Sequence, residues 1–334
     1  MIDFTDTSRS CGVGLLDTGD LSFESTVDRR LVHRAAVSEV LITDWRKLGK
    51  GAFRCAVQWP RGHVLYSSAD GYLDSTVVPE SIRQIGILIA HVGYGVPECN
   101  RFIMKRLRFS CEPDLLYSPT APLNVVADTQ VTELHRRPDG SGGKRIDVRL
   151  SVAGSHVAEG SGWVRYVSPT VYRRLRGSAG MPGPADIPPV TPARPASVGR
   201  NSSRDVVVGP ADHHGTYPLR TPVDHPVYFD HPLDHVPGSL VFEAMRQAAV
   251  ATAGSPEAAM VAADAAFPFF LDLDGPCQVQ VDRQPPDPAG RRFDIRFVQH
   301  GRAGALGSVI LAERRRRPRG DICASQMSHS RGSS

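Results

Sequence analysis

Residues 80–92 read ESIRQIGILIAHV and residues 243–253 read EAMRQAAVATA, so the pattern E-x-x-R-Q opens an apolar run in each half of the chain. Both runs are apolar on nearly every face, the mark of a helix enclosed by other structure and not of an amphipathic surface helix. Gly254 supplies a stop after the second run. Upstream, His63-Val64-Leu65-Tyr66 precedes the first copy at nearly the spacing at which His225-Pro226-Val227-Tyr228 precedes the second. Two anchors at matched spacing indicate an internal duplication.

Something must wrap these helices, and the candidates are short strands rich in Val, Ile, Phe and Trp. They are 52–59, 102–109, 123–134, 145–152 and 162–167 in the first half, then 205–208, 277–282, 293–299 and 305–311 in the second. Trp45, Trp59 and Trp163 read as core residues of the first half. A buried helix followed by a run of antiparallel strands is the hot-dog arrangement. The expected fold is therefore α+β, a double hot dog in which two antiparallel sheets each curl around a long central helix.

The length of 334 residues favours two domains, and 41% hydrophobic with 22% charged residues is ordinary globular usage that excludes wholesale disorder. Residues 177–204 are rich in proline and small polar residues with little to bury, and read as a linker. The expected organisation is a loose segment at 1–27, a first hot-dog domain at 28–176, the linker at 177–204, a second domain at 205–313 and a basic, fraying tail at 314–334. The arginine run in that tail lacks interleaved aromatics, and a net charge of +4 does not by itself point to nucleic acid. Six scattered cysteines without a C-x-x-C pair argue against a zinc ribbon or disulfide framework and for a reducing cytoplasm. No leader or membrane-spanning stretch is expected.

The densest chemistry precedes the second helix. Three Asp-His pairs, Asp224-His225, Asp230-His231 and Asp234-His235, lead through Val236-Pro237-Gly238 into it. Prolines 232 and 237 prevent the continuous helix that a His i, i+4 metal site needs, so no metal and no cofactor is expected. The helix start at Gly238 offers free N–H groups and a partial positive charge to a thioester oxygen. Glu243 and Arg246 stand at i and i+3 with Gln247 beside them, and a charge in so apolar a run needs a partner or a ligand. Two readings stay open: a Glu–Arg pair bracing helix to sheet, or a site; the same pair at Glu80 and Arg83 fits either.

At these residues the chain resembles the AfsA family of A-factor biosynthesis proteins. The matching pieces are Val32-His33-Arg34, Glu39-Val40-Leu41, Gln58-Trp59-Pro60-Arg61, both E-x-x-R-Q copies, the F-D-H-P-x-D-H-V-P-G core from Phe229 and Leu273-Asp274-Gly275-Pro276-Cys277. The resemblance implies transfer of a β-ketoacyl group from an acyl carrier protein to dihydroxyacetone phosphate in the making of γ-butyrolactone signals. The second half also resembles hot-dog dehydratases at Pro237, Gly238, Leu240, Glu243, Ala244 and Gln247, although Phe229 falls at the spacing of their histidine.

Such a transfer needs a base, oxyanion donors and a cationic phosphate site. The expected base is Glu243, or His231 or His235 beside it; Gly238 is the oxyanion donor. Arg246, with Arg83, is the expected phosphate ligand, and Glu80, Gln247 and Asp234 complete the binding set. The site is expected in the second half, so Arg83→Ala should damage activity less than Arg246→Ala. The competing readings are a dehydratase or thioesterase acting on acyl thioesters alone, and a non-catalytic acyl-ligand binding protein.

Overall fold

The computed structural model describes residues 21–68, 70–137, 139–177, 182 and 186–314. Within them the chain forms strands β1 (Ile42–Lys47) and β2 (Ala52–Trp59), helix α1 (Val77–Tyr94), strands β3 (Arg101–Cys111), β4 (Leu123–Arg136), β5 (Gly142–Val152) and β6 (Ser155–Val167), and helix α2 (Pro169–Arg176). Strand β7 (Thr216–Pro218), helix α3 (Gly238–Ala253) and strands β8 (Ala259–Ala266), β9 (Cys277–Arg283), β10 (Arg291–Gln299) and β11 (Arg302–Ala312) complete the second half. In each half a helix is followed by four strands. The first copy runs β3, β4, β5, β6 and the second β8, β9, β10, β11.

The expectation of two sheets is corrected. A single antiparallel sheet runs in the order β1-β2-β4-β5-β6-β3-β8-β11-β10-β9-β7. Strands β3 and β8, each the first after its helix, pair from Arg106↔Ala266 to Ser110↔Ala262 and so join the halves. An unpaired edge leaves backbone donors and acceptors open, and pairing the two equivalent edges removes both at once. The Arg106 guanidinium forks onto Asp264 across this seam, at 2.8 and 2.5 Å.

Helix α1 packs on β1, β2, β3 and β6, and α3 on β8, β9 and β11. Both follow from the sequence pattern: Ile82, Ile85, Leu88 and Ile89 of α1 and Leu240, Val241, Ala244 and Ala248 of α3 are all buried. Glycines at the left-handed C-caps end both helices, Gly95 at φ 64° and Gly254 at φ 65°. The buried core is continuous through both halves.

Several strand expectations shift. Residues 205–208 form no strand: a 3-10 turn spans Ser203–Asp205, and Val208 makes one isolated bridge to Leu219. The backbone groups of Asp205 and Val207 that a ladder would use are taken instead by the Gln247 side chain. Strand β8 was missed because its sequence, AMVAADAA, holds a single β-branched residue, Val261, among alanines; neighbours on both edges hold it extended. Trp59 is fully buried as expected, but Trp163 is 49% exposed. The proline-rich stretch also buries part of itself, with Val198 inaccessible and the Ala193 N–H donating to the Val208 carbonyl at 2.9 Å. Residues 1–20 and 315–334, which hold most of the expected loose ends, lie outside the described residues. Among the described residues no helix is long and apolar enough to cross a membrane.

Candidate active site

Two matched polar networks tie the helices to the chain around them. Glu80 accepts hydrogen bonds from Arg34 (Nε at 3.2 Å, with Nη2 at 2.7 Å in ion-pair contact), Arg83 (2.8 and 2.9 Å) and Gln84 (2.6 Å). Glu243 accepts from Arg200 (2.7 and 2.5 Å), Arg246 (2.7 and 3.1 Å) and Gln247 (2.5 Å). Gln84 holds the Glu39 carbonyl and the Leu41 N–H, while Gln247 holds the Asp205 carbonyl and the Val207 N–H. His63 bridges Glu39 to the N–H groups of Leu65 and Tyr66, and His225 bridges Asp205 to those of Val227 and Tyr228. The networks interlock, because Arg34 reaches the Val227 carbonyl at 3.2 Å and Arg200 reaches the Leu65 carbonyl at 2.9 Å.

This geometry corrects part of the expected site. Glu243 is 1% exposed and both its oxygens are occupied. Burial raises its pKa, but the Arg200 and Arg246 charges outweigh burial and hold it below the ordinary range. In this arrangement the ionised carboxylate is saturated with donors, and Glu243 braces α3. Arg246 is equally committed, to Glu243 and to the Val198 carbonyl at 3.0 Å, and its side chain is 5% exposed. Glu80 and Gln247 take part in the same bracing.

The open space lies beside these networks, a cavity of about 800 Å³ shared by both halves. Its floor is Ile82, Gly86 and Ile87 of α1 and Gly238 and Ser239 at the start of α3; β3, β6, α2 and the loops around 231–237 and 267–271 form its walls. Arg83 lines it, with a side chain 22% exposed, as do Arg101, Lys105 and Arg173. Asp234 is the one carboxylate among the described lining residues. The cavity is thus apolar below and strongly cationic around its walls. Arg83 of the first half lines the cavity, and Arg246 does not.

The three Asp-His pairs separate into two roles. His225 is fully buried and bonds Asp205, not its neighbour Asp224, as part of the second network. His231 and His235 line the cavity, each with Nδ1 on its own aspartate, at 3.3 and 2.7 Å. Asp230 is anchored by the N–H groups of Ala35 and Ala36, at 2.6 and 2.9 Å. Burial raises the Asp230 pKa, but the His231 hydrogen bond and these two N–H groups take it down to about 2. Asp234 also accepts from Tyr172 at 2.8 Å and Arg176 at 3.0 Å, both on α2. Burial is again outweighed there, first by the His235 and Tyr172 hydrogen bonds, and the carboxyl is held well below its usual range. Asp234 is thus held between His235, Tyr172 and Arg176.

Gly238 and Ser239 open α3, and the first intrahelical donor is the Val241 N–H, bonded to the Pro237 carbonyl. The N–H groups before it have no acceptor within the helix, and Gly238 and Ser239 line the cavity. A Cβ on Gly238 would lie 3.6 Å from Met104 Sδ and 3.7 Å from Phe267, which is ordinary contact, so the fold does not require glycine there.

Sequence reasoning missed Arg200, Arg34, His33 and α2. A signal for Arg200 was present: Val32-His33-Arg34 with Glu39-Val40-Leu41 recurs at the same offset as Val198-Gly199-Arg200 with Asp205-Val206-Val207. Reading 177–204 as a tether concealed it.

The model of the A-factor biosynthesis hotdog domain, AfsA, matches residues 17–168 and 184–311. The chain belongs to the AfsA family. It is 36% identical over 291 residues to a Streptomyces virginiae 2-oxo-3-(phosphooxy)propyl 3-oxoalkanoate synthase, covering 87% of this chain and 98% of that protein. A Streptomyces coelicolor protein of the same name is 31% identical over 275 residues, covering 82% and 87%. Among solved structures, an acyl-ACP thioesterase from Bacteroides thetaiotaomicron aligns over 78% of this chain and 98% of its own, at 12% identity and a TM-score of 0.46.

Proposed function

We propose that this AfsA-family chain is an acyltransferase that joins the β-ketoacyl group of a carrier-protein thioester to the hydroxyl of dihydroxyacetone phosphate, in the making of γ-butyrolactone-type signals. The observation that carries this reading is the cavity itself, which combines apolar lining, the helix start at Gly238 and Ser239, and five cationic residues, Arg34, Arg83, Arg101, Lys105 and Arg173. An acyl chain suits the floor, and the N–H groups suit the oxyanion that forms when a thioester carbonyl is attacked. Arg83, with Arg101, Lys105 and Arg173, suits a phosphate, which a guanidinium binds bidentately. The relatives' name describes the matching product, an oxoalkanoate ester of a phosphooxypropanone.

Proton transfer falls to the cavity imidazoles. His231 and His235, each backed by a carboxylate, also serve as donors to the phosphate or to the leaving thiol. We place the reaction in the cytoplasm, where carrier-bound acyl groups and a phosphorylated triose meet; the free thiols of Cys55, Cys99, Cys111 and Cys277 suit that compartment. The duplication reads as two hot dogs, of which the pair together keeps one open site.

A dehydratase or thioesterase would use the same floor but has no use for the cationic rim. The two are separated by mixing the purified protein with a β-ketoacyl thioester, with and without dihydroxyacetone phosphate, and weighing the products. Ester mass dependent on the phosphorylated acceptor is expected; free acid or enoyl thioester formed equally well without it would reject the proposal. Binding of the thioester with no turnover at all would favour an acyl-ligand binding protein.

A further inference from the structure

His33 is one of three non-glycine residues at positive φ among the described residues, at 52°, and it lines the cavity. The matching position in the second half is Gly199, at φ 66°. The match is structural: the preceding carbonyls, of Val32 and Val198, accept from Arg83 and Arg246, and the following residues, Arg34 and Arg200, reach Glu80 and Glu243. Glycine takes a left-handed backbone at no steric cost, and histidine takes it less readily. At Gly199 a Cβ would come 2.6 Å from the Pro256 carbonyl oxygen and 3.2 Å from Arg246, so the second half has no room for a side chain there. The half that contributes this wall of the cavity thus carries an imidazole in a backbone conformation that glycine would adopt more easily, which points to use of the ring.

The tautomer of that ring is fixed by its neighbours. His91 Nδ1 lies 2.6 Å from the Val96 carbonyl, which can only accept, so Nδ1 carries the proton. His91 Nε2 is then the acceptor, and His33 Nε2, 3.1 Å away, donates to it. His33 Nδ1 is left with its lone pair. Burial, then the neighbouring His91, Arg83, Arg101 and His231, push the His33 pKa down to about 3, so the ring is neutral at ordinary pH. In His231 and His235 it is Nδ1 that meets a partner, the neighbouring aspartate, whereas in His33 it is Nε2. The arginines and Lys105 around the cavity offer donors only.

We propose that His33 Nδ1 is the acceptor for the attacking hydroxyl of the acyl-accepting substrate, with His91 as the residue that positions it; this rests on the acyl-transfer reading above. As the C–O bond forms and the C–S bond breaks, the hydroxyl proton passes to Nδ1 and from there to the departing sulfur. One alcohol and one thioester become one ester and one thiol. A weakly basic nitrogen suffices, because the attacking oxygen becomes strongly acidic as it bonds to carbon, and the thiolate is the better base of the pair.

His33→Gly tests this, because it installs the residue that the other half uses at the same backbone conformation. Its melting temperature should not fall, while kcat at saturating acceptor should drop by about 100-fold, within the range for a lost proton acceptor. Imidazole added to the buffer should restore much of the rate by filling the vacated space. His33→Asn, also tolerated at positive φ, should show the same loss without the rescue. Ester formation by His33→Gly at the wild-type rate, or a loss that imidazole leaves untouched, would overturn the assignment. Wild-type protein run alongside separates the two ideas, since absence of ester from wild type refutes the acyl-transfer reading and not the role of His33.

Discussion

At the scale of single residues, the structure turns two chemically identical arginines into different instruments. Arg83 faces the cavity and shares Glu80 with Arg34 and Gln84, so its loss leaves that carboxylate with two partners. Arg83→Ala should therefore raise KM for the phosphorylated acceptor about tenfold or more, the worth of one charge-assisted hydrogen bond of about 1.5–3 kcal/mol, with a small effect on folding. Arg246 is buried, and Arg246→Ala strands part of a buried ion pair, which costs about 3–5 kcal/mol of stability. Melting curves beside steady-state kinetics distinguish the two variants, and a cavity-type KM defect in folded Arg246→Ala would contradict the assignment. Gly238→Ala is the complementary case. The added methyl meets no close neighbour, so stability should hold, while kcat should fall about tenfold as the methyl crowds a carbonyl approaching the helix start.

At the scale of elements, α1 and α3 are each clamped by one glutamine that substitutes for a strand partner. Gln247→Met would free the Val207 N–H and the Asp205 carbonyl, so hydrogen exchange at Val207 should accelerate locally, at a cost of about 1–3 kcal/mol. Unchanged protection at Val207 would mean that the backbone there is held by something else. The clamps also set an acid limit. Burial raises the Glu80 pKa, but Arg34 and Arg83 outweigh it and lower it from 4.5 to about 2. A carboxylate depressed in the folded state binds protons more tightly when unfolded, so its contribution is complete above about pH 4.5 and is lost as pH falls toward about 2. Glu80→Gln should flatten the melting temperature against pH in that window, and an unaltered slope would place the acid sensitivity elsewhere.

At the scale of the whole molecule, the halves have no surface at which to part cleanly. The β3–β8 seam, the exchange of Arg34 and Arg200 between networks, and the grip of Asp230 on Ala35 and Ala36 all cross between them. Calorimetry of the full chain should give one transition whose calorimetric and van't Hoff enthalpies agree. Two resolved transitions would show that these contacts are too weak to couple the halves. The same interlocking explains why one cavity draws on both copies: α1 of the first half and the start of α3 of the second form a common floor.

The duplication, the two buried helices and most strands were legible because they rest on local regularities: E-x-x-R-Q repeated in register, apolar runs without a polar face, and β-branched stretches between turns. The Asp-His loop and the helix start at Gly238 were legible as a cluster of polar groups for a similar reason, since their residue types carry their own donors and acceptors. Which of these groups face a ligand was not. Glu243 and His231 are both polar residues near one helix, yet one is saturated by Arg200, forty-three positions away, and the other opens onto a wall built by the opposite half. The merger of two sheets into one, the different settings of Arg83 and Arg246, and the fixed tautomer of His33 depend on partners distant in the chain. Burial and hydrogen-bond saturation are properties of the packed molecule, and only the tertiary structure decides which charges are spent on holding it together and which are left for chemistry.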